Sequence, residues 1–426
     1  MIGNEVGGAP YDLVGVGIGP ANLSLAALSD PLDGLHTAFF ERESAFRWHP
    51  GLMIDGAFLQ VPFLADLVSL VDPTSHLSFL SYLRARERLY PFYFAEKFHI
   101  PRAEYADYCA WVSRRLPNLR FDQAVRAIRW SGADDAFELD VEPGGRVLAR
   151  NVVLGVGTEP KTPAPLTPFA LHSADYLPAR DRLVATADVT VVGSGQSGAE
   201  VFLDLLRARK AGQGTLRWLT RTPAFAPMEY SKLGLEQFTP DYTRFFHGLD
   251  EPTRDRLVPA QWQLHKAISG DTIAEIFDEL YQRTVGGGWP DVVLAPGVEV
   301  TAATENGGGI ELSLRHVQQG GHATVTTDAI VCATGYQERD LGDLLGPLAT
   351  ELDRDAAGRL VVDADYRVGT ATRGSLYVQN AERHTHGVGA PDLGLIAWRA
   401  ATILNSVCGK KVYPLPERTA FTTFGL

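Results

Sequence analysis

The chain has 426 residues, room for two or three domains, and its 45% hydrophobic and 21% charged residues are ordinary for a globular protein. A net charge of −12 disfavours a general nucleic-acid role, because no basic excess exists to neutralise phosphates. Cys109, Cys332 and Cys408 are widely spaced and form no CxxC, which argues against a disulfide framework, a zinc site or a redox dithiol.

The opening MIGNEVGGAP has no basic n-region and no long apolar stretch, so no signal peptide is expected. No run reaches the ~18 apolar residues of a membrane span, and a cytoplasmic protein is expected. Asp12–Val16 reads as a buried parallel strand, Ala21–Leu28 as a helix and His36–Phe40 as a second strand. The turn between strand and helix reads GVGIGPAN. Gly15 and Gly17 allow a tight turn and the close approach of a diphosphate, with Gly19 beside them. Pro20 suits the first turn of a helix, where its missing N–H costs nothing. Glu41 follows Gly15 by 26 residues, at the end of the second strand, where a carboxylate can accept both ribose hydroxyls of an adenosine. Phe46–Asp72 is irregular and aromatic, and reads as a binding surface. Glu104–Leu116 looks helical, Phe121–Val147 alternates like an antiparallel meander, and Val152–Gly157 is another buried strand.

A second unit begins at Asp188–Val192, with a helix from about Ser197 to Lys210 and a strand at Leu216–Thr220. Its turn, VVGSGQSGAE, places Gly193, Gly195 and Gly198 in full GxGxxG register. Here the second strand ends in Thr220 and Arg221, with no acid. Arg221 can form charge-assisted hydrogen bonds with a 2′-phosphate, which favours NADPH over NADH, and Lys232 is a second cation to consider. Thr222–Trp262 is long and irregular, Thr272–Thr284 is an amphipathic helix, and Val292–Val325 supplies short strands. Asp328–Thr334 is an apolar strand ending in ATGY, whose small residues, Thr334 among them, let backbone pass close to a cofactor. Leu376–Gln379 precedes NAERHTHG, and Leu393–Val407 reads as a helix. His384 and His386 form an HxH pair without a third ligand at metal spacing, so hydrogen bonding is the expected role and no metal is expected.

Strands alternating with helices predict an α/β chain with two Rossmann-like dinucleotide-binding domains. Two dinucleotides in one chain point to hydride transfer from a nicotinamide to a flavin. The second unit reads as inserted in the first, because the ATGY strand is taken as the return. The expected division is 1–185 and 325–426 for an FAD domain and 186–324 for an NADPH domain with substrate-region helices.

GVGIGPANLSLAAL, FLQVPFLADLVSLVDPTS, PRAEYADYCAWV, VVGSGQSGAEVFLDLL, ATGY and HTHGVGAPDLGLIAWRAATILN occur in that order. Together they resemble the flavin-dependent N-hydroxylating monooxygenases of hydroxamate siderophore biosynthesis, over nearly the whole chain. The resemblance implies FAD, NADPH and O2, a primary-amine substrate (ornithine, lysine, putrescine or cadaverine), and a cytoplasmic homo-oligomer, dimer or tetramer. It sets Gly15, Gly17, Pro20, Asn22 and Glu41 in the FAD fingerprint, and Trp48, His49 and Gln60 against the flavin ring. Gly193, Gly195, Gln196, Ser197 and Arg221 match the NADPH side. Asn380 resembles an asparagine where nicotinamide and substrate meet, so Gln60 and Asn380 are the expected catalytic residues. Asp392 and Leu393 match a stretch that passes the flavin again.

The departures bear on substrate. Ornithine hydroxylases typically carry a lysine in FLKDLV that binds the amino-acid carboxylate; this chain has Ala65 there. An asparagine in a TNYS-like stretch aligns with Ala267, and a serine near the C-terminus with Gly394. An unpaired substrate carboxylate in a pocket costs roughly several kcal/mol, so a diamine is expected, with L-lysine and then L-ornithine as alternatives. Asp271, Glu236 and Glu382 are candidates by position for holding the distal ammonium. A Baeyer–Villiger or sulfur-oxidising flavoprotein would share both turns but not HTHGVGAPDLGL. A disulfide reductase needs the redox cysteine pair that is missing, and a nucleotide-sensing module would show no amine-stimulated NADPH oxidation.

Overall fold

The computed structural model describes residues 9–426; most of the stretch read for a leader lies in residues 1–8, outside the described residues. β1 (Leu13–Val16), α1 (Pro20–Ser29) and β2 (Thr37–Phe40) make the first βαβ unit. β1 is flanked in parallel by β2 and by β3 (Asn151–Leu154), and all four of its residues are buried. That is why LVGV and VVL read as unbroken apolar runs: helices or loops cover both faces of a parallel sheet. The second unit contains β4 (Val189–Val192), α2 (Gln196–Ala208), β5 (Leu216–Thr220), α3 (Gly270–Gln282) and β6 (Ala329–Cys332). The chain ends with β7 (Ser375–Val378) and α4 (Ile396–Cys408), which packs on α1.

The first sheet has the order Arg367–Val368, β7, β3, β1, β2, Leu119–Arg120. The second has Ala170–His172, β6, β4, β5, Val292–Pro296, all parallel. This corrects the expected return of the chain. β6, the strand that leads into ATGY, pairs with β4, and Val331 enters the second core beside Val189 and Val191. By strand pairing the second unit therefore spans Ala170 to Cys332, and the first sheet regains the chain only at Arg367 and β7. The crossings lie side by side, Thr158–Pro160 against Tyr336–Glu338 as an antiparallel ribbon.

The stretch 222–262 is also less irregular than it reads. Pro240–His247 and Glu251–Ala260 are helices, capped by Thr239 on the Tyr242 N–H and by Asp250 on the Thr253 N–H, with proline in each first turn. Pro240–His247 is amphipathic but only eight residues long, and Glu251–Ala260 has no clear apolar face. Tyr242 and Phe246 form their buried face against Val388. The C-terminal tail straps this lobe. Asp241 accepts from the Thr419 N–H at 2.6 Å and the Ala420 N–H at 2.8 Å, and Phe424 packs on Tyr242. Among the described residues no helix is long and apolar enough to cross a membrane.

Candidate active site

At the first turn, register places Gly15 opposite Phe39, whose ring lies 2.1 Å from where a Cβ on Gly15 would stand. Gly17 has φ +86°, and a Cβ there would meet the Gly155 carbonyl at 2.6 Å. The turn is thus pressed onto β3 at a conformation that favours glycine. Gly19, the N-cap of α1, faces open space and offers no side-chain cap. The free N–H groups of α1 and the open approach above Gly19 suit a diphosphate. Glu41 accepts from the Ile18 N–H at 2.9 Å, so its carboxylate is fixed beside the turn. Asn22, expected to touch a cofactor, is instead a buried brace. Its Nδ2 donates to the Val16 and Gly17 carbonyls, and its Oδ1 accepts from Gln379 at 2.7 Å.

The second turn repeats the design. Gly193 has φ +138°, with the Ala333 carbonyl 2.1 Å from a Cβ, and the Trp218 indole donates to the Gly193 carbonyl at 2.6 Å. Gly195 caps α2 without a side chain, and Ser197 stands in the first turn. Arg221 is exposed at the end of β5. It is one of four cations gathered from distant parts of the chain. Burial and the charges of Arg383, Lys161 and Arg221 lower the pKa of Lys266. Only Arg221 was readable beforehand, because Lys161 sits in the crossing, Lys266 before α3 and Arg383 after β7. Lys232 is exposed in the loop after β5 and makes no contribution to this group. The Gln196 side chain braces α2 against α3: its Nε2 donates to Glu200 and Thr272, and its Oε1 accepts from the Ser269 N–H. Thr334 donates to the Lys161 carbonyl and so ties the two crossings together.

Between the turns runs an aromatic row. Ring centroids are 5.0 Å apart from Tyr105 to Trp48, 5.1 Å from Trp48 to His49, 5.9 Å from His49 to Tyr336 and 5.3 Å from Tyr336 to His172. The row leads from the first unit across the ribbon into the second. His49 holds φ +43°, unusual for a residue with a Cβ. Its ring is open to water on one side but walled by protein; that desolvation, then the Arg102 guanidinium, lowers its pKa to about 4.

Gln60 lies on the strand Phe58–Pro62, beside the turn Leu393–Leu395. Its Nε2 is buried and has no hydrogen-bond partner among the described residues. An unmet buried donor costs about 1–3 kcal/mol, and a flavin or substrate acceptor would meet it. Asn380 stands two residues beyond β7 at φ +66°, immediately after Gln379, which donates to Asn22 on α1. Asp392 caps the Leu393–Leu395 turn through the Gly394 N–H at 2.7 Å. Burial raises its pKa to about 6, against the pull of the Gly394 N–H and Arg399.

The residues expected to meet substrate divide. Ala65 and Ala267 are buried, at 5% and 1% exposure, and Gly394 lies beside the Asp392 carboxylate. Asp271 is exposed in the first turn of α3. Glu236 is corrected: its two oxygens accept from the Phe421 and Thr422 N–H groups and hold the tail. Glu382 is corrected too, being fully buried and paired with Arg399 at 3.1 Å. His384 engages the Leu360 carbonyl at 2.8 Å, and His386 stacks on Tyr366.

This geometry has counterparts. A profile of the L-lysine 6-monooxygenase/L-ornithine 5-monooxygenase family matches residues 9–338. The chain belongs to that family. It is an N-hydroxylating monooxygenase. The chain is 45% identical to the rhizobactin siderophore biosynthesis protein RhbE of Rhizobium meliloti, over 98% of this chain and 95% of RhbE. It is 40% identical to a putrescine N-hydroxylase of Shewanella oneidensis, over 99% of this chain and 85% of that enzyme. Among solved structures, the FAD-bound cadaverine monooxygenase DfoA of Erwinia amylovora superposes with a TM-score of 0.94 at 36% identity, covering 98% of this chain and 99% of DfoA.

Proposed function

We propose that this monooxygenase N-hydroxylates one end of a diamine, cadaverine or putrescine, for the assembly of a hydroxamate siderophore. The observation that carries the choice is that Ala65, Ala267 and Gly394 offer no side-chain donor at the three positions where the resemblance expects contacts to an amino-acid head. The similarity to a putrescine N-hydroxylase and to a cadaverine monooxygenase supports the same class.

FAD would be held at the first cradle by Gly15, Gly17, Gly19, Pro20 and Glu41, and Trp48, His49, Leu393 and the Gln60 amide are the residues that would serve its flavin. NADPH would be held at the second by Gly193, Gly195 and Ser197, with Arg221, Lys266, Lys161 and Arg383 to supply positive charge for its phosphates. Flavin reduced by NADPH supplies the chemistry of O2 activation. The protein's part is to bind, orient and exclude water. The reacting amine must be neutral, so turnover rises with pH toward the pKa of the bound amine. With Glu236 and Glu382 committed elsewhere, Asp271 is the one of the three candidate carboxylates left for the distal ammonium; after burial, it and Asp392 raise the pKa of Tyr230.

Self-association belongs to the same reading. The helix Leu89–Ala95 buries none of its residues and exposes Tyr90, Tyr93 and Phe94, an apolar face for a second copy of the chain to cover.

The test is hydroxylamine formation with NADPH, FAD and each of the four amines. Diamine-dependent product, with one NADPH consumed per product, is the expected result. NADPH oxidation without hydroxylamine from any amine would overturn the reading.

A further inference from the structure

Arg102 opens the helix Arg102–Ser113 of the first unit, and Glu200 lies on α2 of the second. Their side chains meet as a two-pronged pair. Nη1 donates to Oε2 at 2.9 Å and Nη2 to Oε1 at 2.7 Å. Nη1 also donates to the Leu52 carbonyl at 3.0 Å. The two side chains are 13% and 6% exposed, so solvent and salt screen them little. A planar guanidinium gripping both carboxylate oxygens fixes orientation as well as distance.

The third partner gives the pair its meaning. Leu52 follows Trp48 and His49 in the chain, yet it is buried in the core of the second unit with Tyr176, Val201 and Phe202. Gly51 is pressed on the same unit, since a Cβ there would stand 1.7 Å from the Ala174 carbonyl. Beyond Glu200 the contacts continue. Glu200 Oε1 accepts from Gln196 at 3.0 Å, and Gln196 accepts from the Ser269 N–H at 2.8 Å, the cap of α3. One continuous set of contacts joins the loop of Trp48 and His49 to the second glycine turn and α3.

We propose that Arg102 and Glu200 form a positioning clamp that makes the flavin-side loop move with the nicotinamide-binding unit. Hydride transfer needs its partners within about 3–3.5 Å. The chain itself joins the two units only at the ribbon of Thr158–Pro160 and Tyr336–Glu338. The plugged loop and its clamp are a further attachment, on the cofactor side. The proposal rests on reading the two cradles as FAD and NADPH sites.

The test compares R102M, E200M, R102M/E200M and R102K with the parent holoenzyme. Hydrogen–deuterium exchange, recorded without turnover, follows residues 49–54; steady-state kinetics follow the NADPH and amine KM values. Each single variant is expected to speed exchange in that loop by about tenfold or more, and to raise the NADPH KM with the amine KM unchanged. The double variant is expected to be no worse than the poorer single, because one shared interaction is lost. R102K, which keeps the charge but not the fork, should fall between. Unchanged loop exchange in both single variants, or single effects that simply add, would overturn the clamp. If R102M does not retain its flavin spectrum, R102K and the double variant decide by the same criteria. Failure of the cofactor reading would show separately, as a parent protein that binds neither nucleotide while its loop exchange still responds to the pair.

Discussion

Gly17 lies at φ +86° with the Gly155 carbonyl 2.6 Å from any Cβ. Gly17→Ala meets a left-handed penalty of about 1–2 kcal/mol, and the clash adds to it. The variant should purify with little or no flavin, read from the visible spectrum; full flavin occupancy would mean the turn is not the cradle. Arg221→Ala should raise the NADPH KM about tenfold and leave NADH use unchanged, as loss of a charge-assisted phosphate contact predicts; equal loss with both nucleotides would assign Arg221 elsewhere. Asp392 has a folded pKa of about 6, above its ordinary 3.8. A raised folded pKa means stability present below about pH 4 and lost as pH climbs through about 6. Asp392→Asn keeps an acceptor for the Gly394 N–H, so its melting temperature should change less than the parent's between those limits. An identical profile would show that Asp392 does not carry this titration. At this scale the glycines and Glu41 were legible because turn geometry restricts residue type. The duties of Asn22, Gln196 and Glu236 were not, because a polar side chain next to a motif can equally turn inward to brace it.

The elements repeat the lesson with a different cause. Both βαβ units could be read from buried runs and glycine turns. The lobe of Pro240–His247 and Glu251–Ala260 was missed, because the first helix is only eight residues long and the second has no clear apolar face. The tail that straps it was equally hidden, since its partners, Glu236 and Asp241, lie far back in the chain. Asp241 keeps a lowered pKa through the Thr419 and Ala420 N–H groups and Arg244, against the effect of burial. Asp241→Ala removes these bonds and should cost about 1–3 kcal/mol. Faster amide exchange across residues 417–424 and a lower melting temperature are the expected readings; an unchanged tail would mean that Phe424 packing alone holds it.

For the whole molecule, the sequence told the main buried strands but neither the short ones at Phe58–Pro62, Ala170–His172 and Arg367–Val368 nor which sheet each joins. The Asp328–Thr334 run is equally apolar in either sheet, and only pairing with Val189–Val192 decides. The cation group around Lys266 depends on that assembly, because its members come from the crossing, β5, the start of α3 and the segment after β7. A chain of net charge −12 thereby concentrates positive charge at one cradle. Ala65, Ala267 and Gly394 carry no side-chain donor where the resemblance expects contacts to an amino-acid head, and the proposed choice of a diamine rests on them. Cadaverine differs from L-lysine, and putrescine from L-ornithine, only by the α-carboxylate. The decisive measurement is therefore kcat/KM for hydroxylamine formation within each matched pair, with the product identified by mass. The diamine should exceed its amino acid by about a hundredfold or more, the scale of a buried carboxylate left unpaired. An amino acid that matches or exceeds its own diamine would contradict the account.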